Sequence, residues 1–63
     1  MTLRYLMQKT APDVQVIIMK DGCTDPSTFE MLSGYEAVKE YIGSNVEVKD
    51  FRFGNNNKLF ITI

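Results

Sequence analysis

The chain has 63 residues, of which 44% are hydrophobic and 24% are charged, and its formal net charge is −1. A chain of this length folds as one domain with a small core, so we treat residues 1–63 as a single domain. The apolar content excludes a disordered tail. Basic residues are not in excess, so we expect no nucleic-acid partner.

Several kinds of chemistry are excluded by residue types that are missing or rare. The sequence has no histidine, which removes imidazole acid–base catalysis, histidine-activated nucleophiles and histidine-ligated metals. Its one cysteine, Cys23, cannot form an internal disulfide. No phosphate-binding loop, dinucleotide fingerprint or metal-ligand spacing is present. We therefore predict that the chain is not an enzyme and needs no cofactor or metal.

The sequence also bears on location. Its longest uninterrupted apolar stretch runs from Val16 to Met19, far short of the roughly 20 residues that span a bilayer. The N-terminus lacks the basic start and apolar run of a signal peptide. We therefore expect a cytoplasmic location and no membrane partner.

The N-terminal segment is predicted to be a short helix of about seven residues. Thr2 is a plausible N-cap, and Leu3, Leu6 and Met7 have the i, i+3, i+4 spacing of one helical face. Pro12 ends the helix, because a proline disfavours helical geometry in the residue before it.

The segment from Val14 to Lys20 is predicted to be a strand, since it is rich in β-branched residues. Apolar side chains alternate onto both faces, which places the strand in the sheet interior. Val14, Val16 and Ile18 are expected on one face, and Gln15, Ile17 and Met19 on the other. A loop follows from Asp21 to about Ser27, because Gly22 and Pro26 are typical of turns.

Residues 28–43 allow two interpretations. One is a continuous helix with Pro26 in its first turn. The other is a short strand over 28–32 followed by a helix from Gly34 or Tyr35 to Ile42. We favour the second, because Ser33 and Glu36 have capping-box spacing and Gly34 would weaken a helix interior by about 1 kcal/mol.

The last third of the sequence is predicted to be a β-hairpin. Its turn is at residues 54–57, where glycine and asparagine tolerate positive φ. A bulge near Lys49–Asp50 would place four apolar side chains on one face. These are Val46, Val48, Phe51 and Phe53. In the last strand, Leu59, Ile61 and Ile63 are expected to point into the core.

These elements predict an α+β domain in the order α-β-β-α-β-β, with an antiparallel sheet and both helices on one of its faces. The other sheet face would then carry more apolar surface than water favours, and we expect a partner to cover it. Its apolar residues are Ile17, Met19, Phe29, Met31 and Phe60. Tyr35 could belong to the core or be an aromatic interface anchor, and it is added to the candidate site with Arg52 as a charge at the rim. Phe51 and Phe53 are assigned to the core.

Two segments of the sequence carry a recognisable pattern. Residues 2–6 read T-L-R-x-L, and residues 12–18 read P-D-x-x-V-x-I. With Ser33-Gly34 and the final hairpin, this pattern resembles that of small αββαββ proteins of Gram-positive bacteria and their prophages, whose function is unknown. The resemblance spans most of the chain. It implies the same element order and a phage or mobile-element accessory protein.

The prediction for function is a small non-enzymatic protein-interaction module that binds a protein partner or forms a homo-oligomer. A narrower form is an inhibitor of a host factor. The alternative is an oligomer that binds or sequesters a small ligand such as a nucleotide. That alternative needs convergent cationic groups, and the candidates are Arg4, Lys20, Lys49 and Arg52.

Overall fold

A computed structural model describes residues 1–22 and 25–63, so the prediction that Cys23 lies in a loop falls outside the described residues. The order of elements is the predicted α-β-β-α-β-β. The strand-then-helix interpretation of residues 28–43 is also confirmed. The elements are α1 (Leu3–Lys9), β1 (Gln15–Met19), a 3-10 turn (Pro26–Thr28), β2 (Glu30–Ser33), α2 (Gly34–Tyr41), β3 (Asp50–Gly54) and β4 (Lys58–Thr62).

The four strands form one sheet in the order β2-β1-β4-β3. The prediction of a purely antiparallel sheet is wrong, because β1 and β4 pair in parallel at the centre, while β1–β2 and β3–β4 are antiparallel. The cause is the connection through α2, which returns the chain so that β3 runs in the same direction as β2. A parallel relation of this kind requires such a crossover. As predicted, β1 lies inside the sheet.

The core lies between the two helices and one face of the sheet. Buried side chains from both layers form one cluster. Its members are Leu3, Leu6, Met7, Val16, Ile18, Ala37, Leu59 and Ile61. Of the other residues predicted for the core, Ile63 packs against this cluster, whereas Phe51 and Phe53 are exposed.

The segment after α2 ties the N-terminal helix to the domain. The Leu3 and Arg4 N–H groups, which have no partner within the helix, donate to the carbonyls of Val46 and Ser44 at 2.8 and 3.1 Å. Thr2 caps α1, its side-chain oxygen accepting from the Tyr5 N–H at 3.3 Å. Residues 46–48 therefore brace the N-terminus and do not lengthen β3, contrary to the predicted hairpin.

The predicted irregularity at Lys49–Asp50 is present. Asp50 is paired with Thr62, yet the Lys49 N–H donates to the Thr62 carbonyl at 2.8 Å. Two consecutive residues therefore face one residue of β4, which is the arrangement of a β-bulge. The turn to β4 uses Asn56 and Asn57, both with positive φ, as predicted.

Gly34 begins α2 directly beneath the turn that joins α1 to β1. A Cβ at this position would lie 2.1 Å from the Ala11 carbonyl oxygen and 2.8 Å from that of Val14. The Ser33 side-chain oxygen caps the helix by accepting from the Glu36 N–H at 3.1 Å. Glycine is thus required here by close packing of backbone, and the preceding serine starts the helix.

Candidate functional site

The sheet face away from the helices is covered more completely than the sequence predicts. Ile17 lies opposite Met31 of β2 and Phe60 of β4, so their side chains share this face. Ile17 is 6% exposed, and its expected role as an uncovered contact residue is wrong. The reason is that β1 is central, so flanking side chains on both sides shield it within one copy.

The rest of this predicted surface is uneven. Met31, on the edge strand β2, is 62% exposed, whereas Met19, Phe29 and Phe60 are half-buried. Arg52 is exposed and lies opposite Phe60 on the same face. Met31 is therefore the only largely exposed apolar side chain among the predicted residues of this face, and Asp50 lies beside Arg52 there, so the face has no continuous apolar surface.

Tyr35 lies apart from these residues. It is in the first turn of α2, on the helical side of the sheet, and is 66% exposed. It lines a shallow depression of about 260 Å³ with Pro12 and Val38. The structure thus separates the predicted site residues into a sheet-face group and an isolated tyrosine on α2.

A second apolar surface lies on the helical side of the sheet, on the edge strand β3. Phe51 is 38% exposed and Phe53 is 68% exposed, so their assignment to the core is wrong. Both side chains do point to the helical side, since they pair with the buried Ile61 and Leu59. They stay uncovered because α2 packs over β1 and β2, which lie at the other end of the strand order on the same face. The helical layer therefore stops short of β3.

These phenylalanines form one wall of a groove whose other wall is α1. The groove has a volume of about 320 Å³ and is bounded by Met1, Tyr5, Leu6, Lys9, Thr10, Phe51, Phe53 and Leu59. Met1 and Tyr5 are each about half exposed. The Lys9 ammonium lies 5.3 Å from the centre of the Tyr5 ring, a cation–π contact at the rim of the groove. We call this feature the α1–β3 groove.

Within residues 1–22 and 25–63, no strand pairs with the outer edge of β3. The Gln15 N–H donates to the Asn57 carbonyl at 2.9 Å, and the Ile63 N–H donates to the Met19 carbonyl at 2.8 Å. In this pattern, the backbone N–H and C=O groups of the odd-numbered residues of β4 point towards β1. Those of its even-numbered residues point towards β3. By the β3–β4 register, the N–H and C=O groups of Phe51 and Phe53 consequently point away from the sheet.

Sequence reasoning missed this surface because both alternation and hydrophobicity place Phe51 and Phe53 on the core side. The signal that could have identified it is the length of the helices. A seven-residue and an eight-residue helix are each only about 10–12 Å long. Helices so short leave part of a four-stranded sheet open.

Two side-chain contacts join polar groups from different segments of the chain. The Tyr41 hydroxyl donates to the Glu30 carboxylate at 2.5 Å, and this hydrogen bond is the main reason that the pKa of Tyr41 rises to about 12. Lys49 forms an ion pair with Asp21 at 2.9 Å, between two exposed side chains. Neither contact lies in a concave, buried setting of the kind that acid–base catalysis uses.

Comparison with known proteins adds no relative. No protein-family model, curated protein or solved structure matches the chain. Among residues 1–22 and 25–63, no group of three or more His, Cys, Asp or Glu side chains is arranged to hold a metal ion. Within the same residues, neither helix has the length and apolar character needed to cross a membrane.

Proposed function

We propose that the chain is a small, non-enzymatic protein-interaction module that acts in the cytoplasm. The observation that carries this proposal is the exposure of Phe51 and Phe53 beside the α1–β3 groove. Contiguous exposed apolar surface on a small protein marks an interaction site, and aromatic side chains dominate the energy of such contacts.

The chemistry of β3 supports a protein partner in particular. An edge strand with free N–H and C=O groups can add a further strand, which supplies backbone hydrogen bonds. Alternate side chains of the strand, Phe51 and Phe53, then provide the apolar contacts on one face. Small ligands are instead bound in more enclosed pockets that surround most of their surface.

The narrower proposal, an inhibitor of a host factor encoded by a phage or mobile element, is supported by the sequence resemblance alone. Two of the four candidate cations, Lys49 and Arg52, do not favour the small-ligand alternative. Lys49 is already paired with Asp21, and Arg52 lies on the sheet face opposite to the α1–β3 groove.

The proposal is tested by removing one exposed apolar side chain at a time. Phe53, Tyr35 and Met31 are 68%, 66% and 62% exposed, so serine variants at these three positions remove comparable surface from three different places. Tagged chains are used to capture proteins from a Gram-positive bacterial lysate, and self-association is measured by light scattering.

We expect Phe53→Ser to lose binding, whereas Tyr35→Ser and Met31→Ser retain it. A loss in Met31→Ser alone would move the binding surface to the sheet face and contradict the assignment to β3. A chain that stays monomeric and captures nothing contradicts the interaction module itself.

A further inference from the structure

We propose that the occupant of the β3 edge is a second copy of this chain, paired antiparallel so that each Asp50 lies opposite the partner's Arg52. This inference rests on the proposed function and deepens it by naming the partner. The argument uses the free backbone groups, the charges and the phenylalanines of β3.

The backbone permits a two-fold symmetric pairing centred on Phe51. The outward N–H and C=O groups of Phe51 would exchange two hydrogen bonds with the same groups of the second copy. The outward N–H of Phe53 would then meet the partner's Lys49 carbonyl. A symmetric interface of this kind closes on itself and gives a dimer instead of a fibre.

The charges select this register. Asp50 and Arg52 are both exposed and lie on the same face of β3, two residues apart. In a register centred on Phe51, each Asp50 faces an Arg52, which gives two opposite-charge pairs. Across the interface between the two copies, these are pairs without backbone hydrogen bonds between them. In such pairs the cross-strand side chains are closest.

The neighbouring register, centred on Arg52, is disfavoured. It would place the two Arg52 side chains directly opposite each other and leave Asp50 facing Gly54, which has no side chain. Like charges directly opposite each other on paired strands are destabilising.

The same pairing covers the exposed phenylalanines. The two-fold axis is perpendicular to the joined sheet, so the helices of both copies lie on the same face of that sheet. Both α1–β3 grooves then open towards the line where the two β3 strands meet. The two Phe51 side chains become direct cross-strand neighbours, and each Phe53 is diagonal to the partner's Phe51. Such pairs lie within reach of aromatic contact.

The opposite edge of the sheet lacks these properties. β2 has four residues, and α2 begins immediately after it. The backbone N–H and C=O groups of Met31 point away from β1. A symmetric pairing centred on Met31 would set Glu30 against the partner's Leu32, with no charge complementarity. The second copy is therefore assigned to β3 and not to β2.

The experiment exchanges the charges and measures the dimer dissociation constant by light scattering over a concentration series. Asp50→Arg sets Arg against Arg, and Arg52→Asp sets Asp against Asp. We expect each single variant to weaken the dimer by about tenfold or more, because two attractive pairs become repulsive. An equimolar mixture of the two variants restores both pairs as a heterodimer, and the double variant D50R/R52D restores them as a homodimer.

Recovery in the mixture and in the double variant supports the register, and failure of either to recover overturns it. An Asp50→Arg variant that dimerises like the wild type also overturns it, since in the Arg52-centred register residue 50 faces only Gly54. A wild-type chain that is monomeric at about millimolar concentration overturns the dimer altogether. That last result leaves the proposed interaction role intact, because capture of another protein through Phe53 is measured separately.

Discussion

Among the glycines, Gly34 is the position where an added methyl group would meet the closest backbone atoms. The Cβ of alanine would lie 2.1 and 2.8 Å from the carbonyl oxygens of Ala11 and Val14, where ordinary contact begins at 3.4 Å. Both atoms belong to backbone, and the turn that holds them is closed by a hydrogen bond from the Val14 N–H to the Ala11 carbonyl at 3.2 Å. The turn would have to move by more than 1 Å, which separates α1 from its place beside α2.

The expected cost of Gly34→Ala is about 2–3 kcal/mol, in the upper range for an overpacked site because backbone cannot rotate away as a side chain can. A 63-residue domain has a total stability of only about 3–9 kcal/mol. The midpoint of thermal unfolding should consequently fall by about 8–24 °C. Circular dichroism melts of the wild type and the variant at one low concentration measure this change.

Gly43→Ala is the matched control. No atom lies within 4 Å of a Cβ at Gly43, and its φ is not among the positive values. Alanine there should leave stability unchanged or raise it by up to about 1 kcal/mol, through lower entropy of the unfolded chain. Equal stability of Gly34→Ala and the wild type would refute the close approach of the turn to α2.

Three further predictions concern single contacts. Ile17→Ala should lower the free energy of unfolding by about 2–5 kcal/mol, measured with denaturant, because its side chain is buried. Met31→Ala on the same face should change it by less than about 0.5 kcal/mol. Similarly small effects of both substitutions would contradict the burial of Ile17. Ser33→Ala should lose about 1 kcal/mol with the helix cap, and an unchanged melting midpoint would argue against the bond to the Glu36 N–H. Tyr41 ionises at a pKa of about 12 in the folded chain and 10.0 unfolded, so the stability from its hydrogen bond is complete below pH 10 and is lost as pH rises through about 12. Tyrosinate absorbance should show Glu30→Gln lowering that pKa towards 10, and an unmoved titration would exclude Glu30 as its cause.

Much of the fold follows from local signals in the sequence. Thr2 and Ser33 mark the two helix starts, the run of β-branched residues marks β1, and Asn56 and Asn57 supply the left-handed turn. Each of these is a backbone preference of a few neighbouring residues, which a pattern can carry.

The direction of strand pairing could not be predicted in the same way. Alternation determines which face a side chain occupies, but it is the same for a parallel and an antiparallel neighbour. The pairing of β1 with β4 depends on the path of the chain through α2 and residues 42–49, which no local pattern encodes.

Exposed apolar surface was predicted from the sequence, but on the wrong side chains. Surplus apolar surface does exist, yet Ile17 is shielded by its neighbours, and the exposed phenylalanines are Phe51 and Phe53. Whether a core-side residue is covered depends on how far the helical layer reaches. That reach is a property of packing between distant elements, beyond what alternation shows.

Amide hydrogen exchange at Phe51 and Phe53, followed by NMR as protein concentration increases, tests the central claim most directly. In a single copy these N–H groups face solvent and should exchange rapidly. In the β3-paired dimer they are hydrogen-bonded, so protection should rise with concentration in the wild type and stay low in Asp50→Arg. Rapid exchange of both amides in a sample that light scattering shows to be dimeric would contradict pairing through β3.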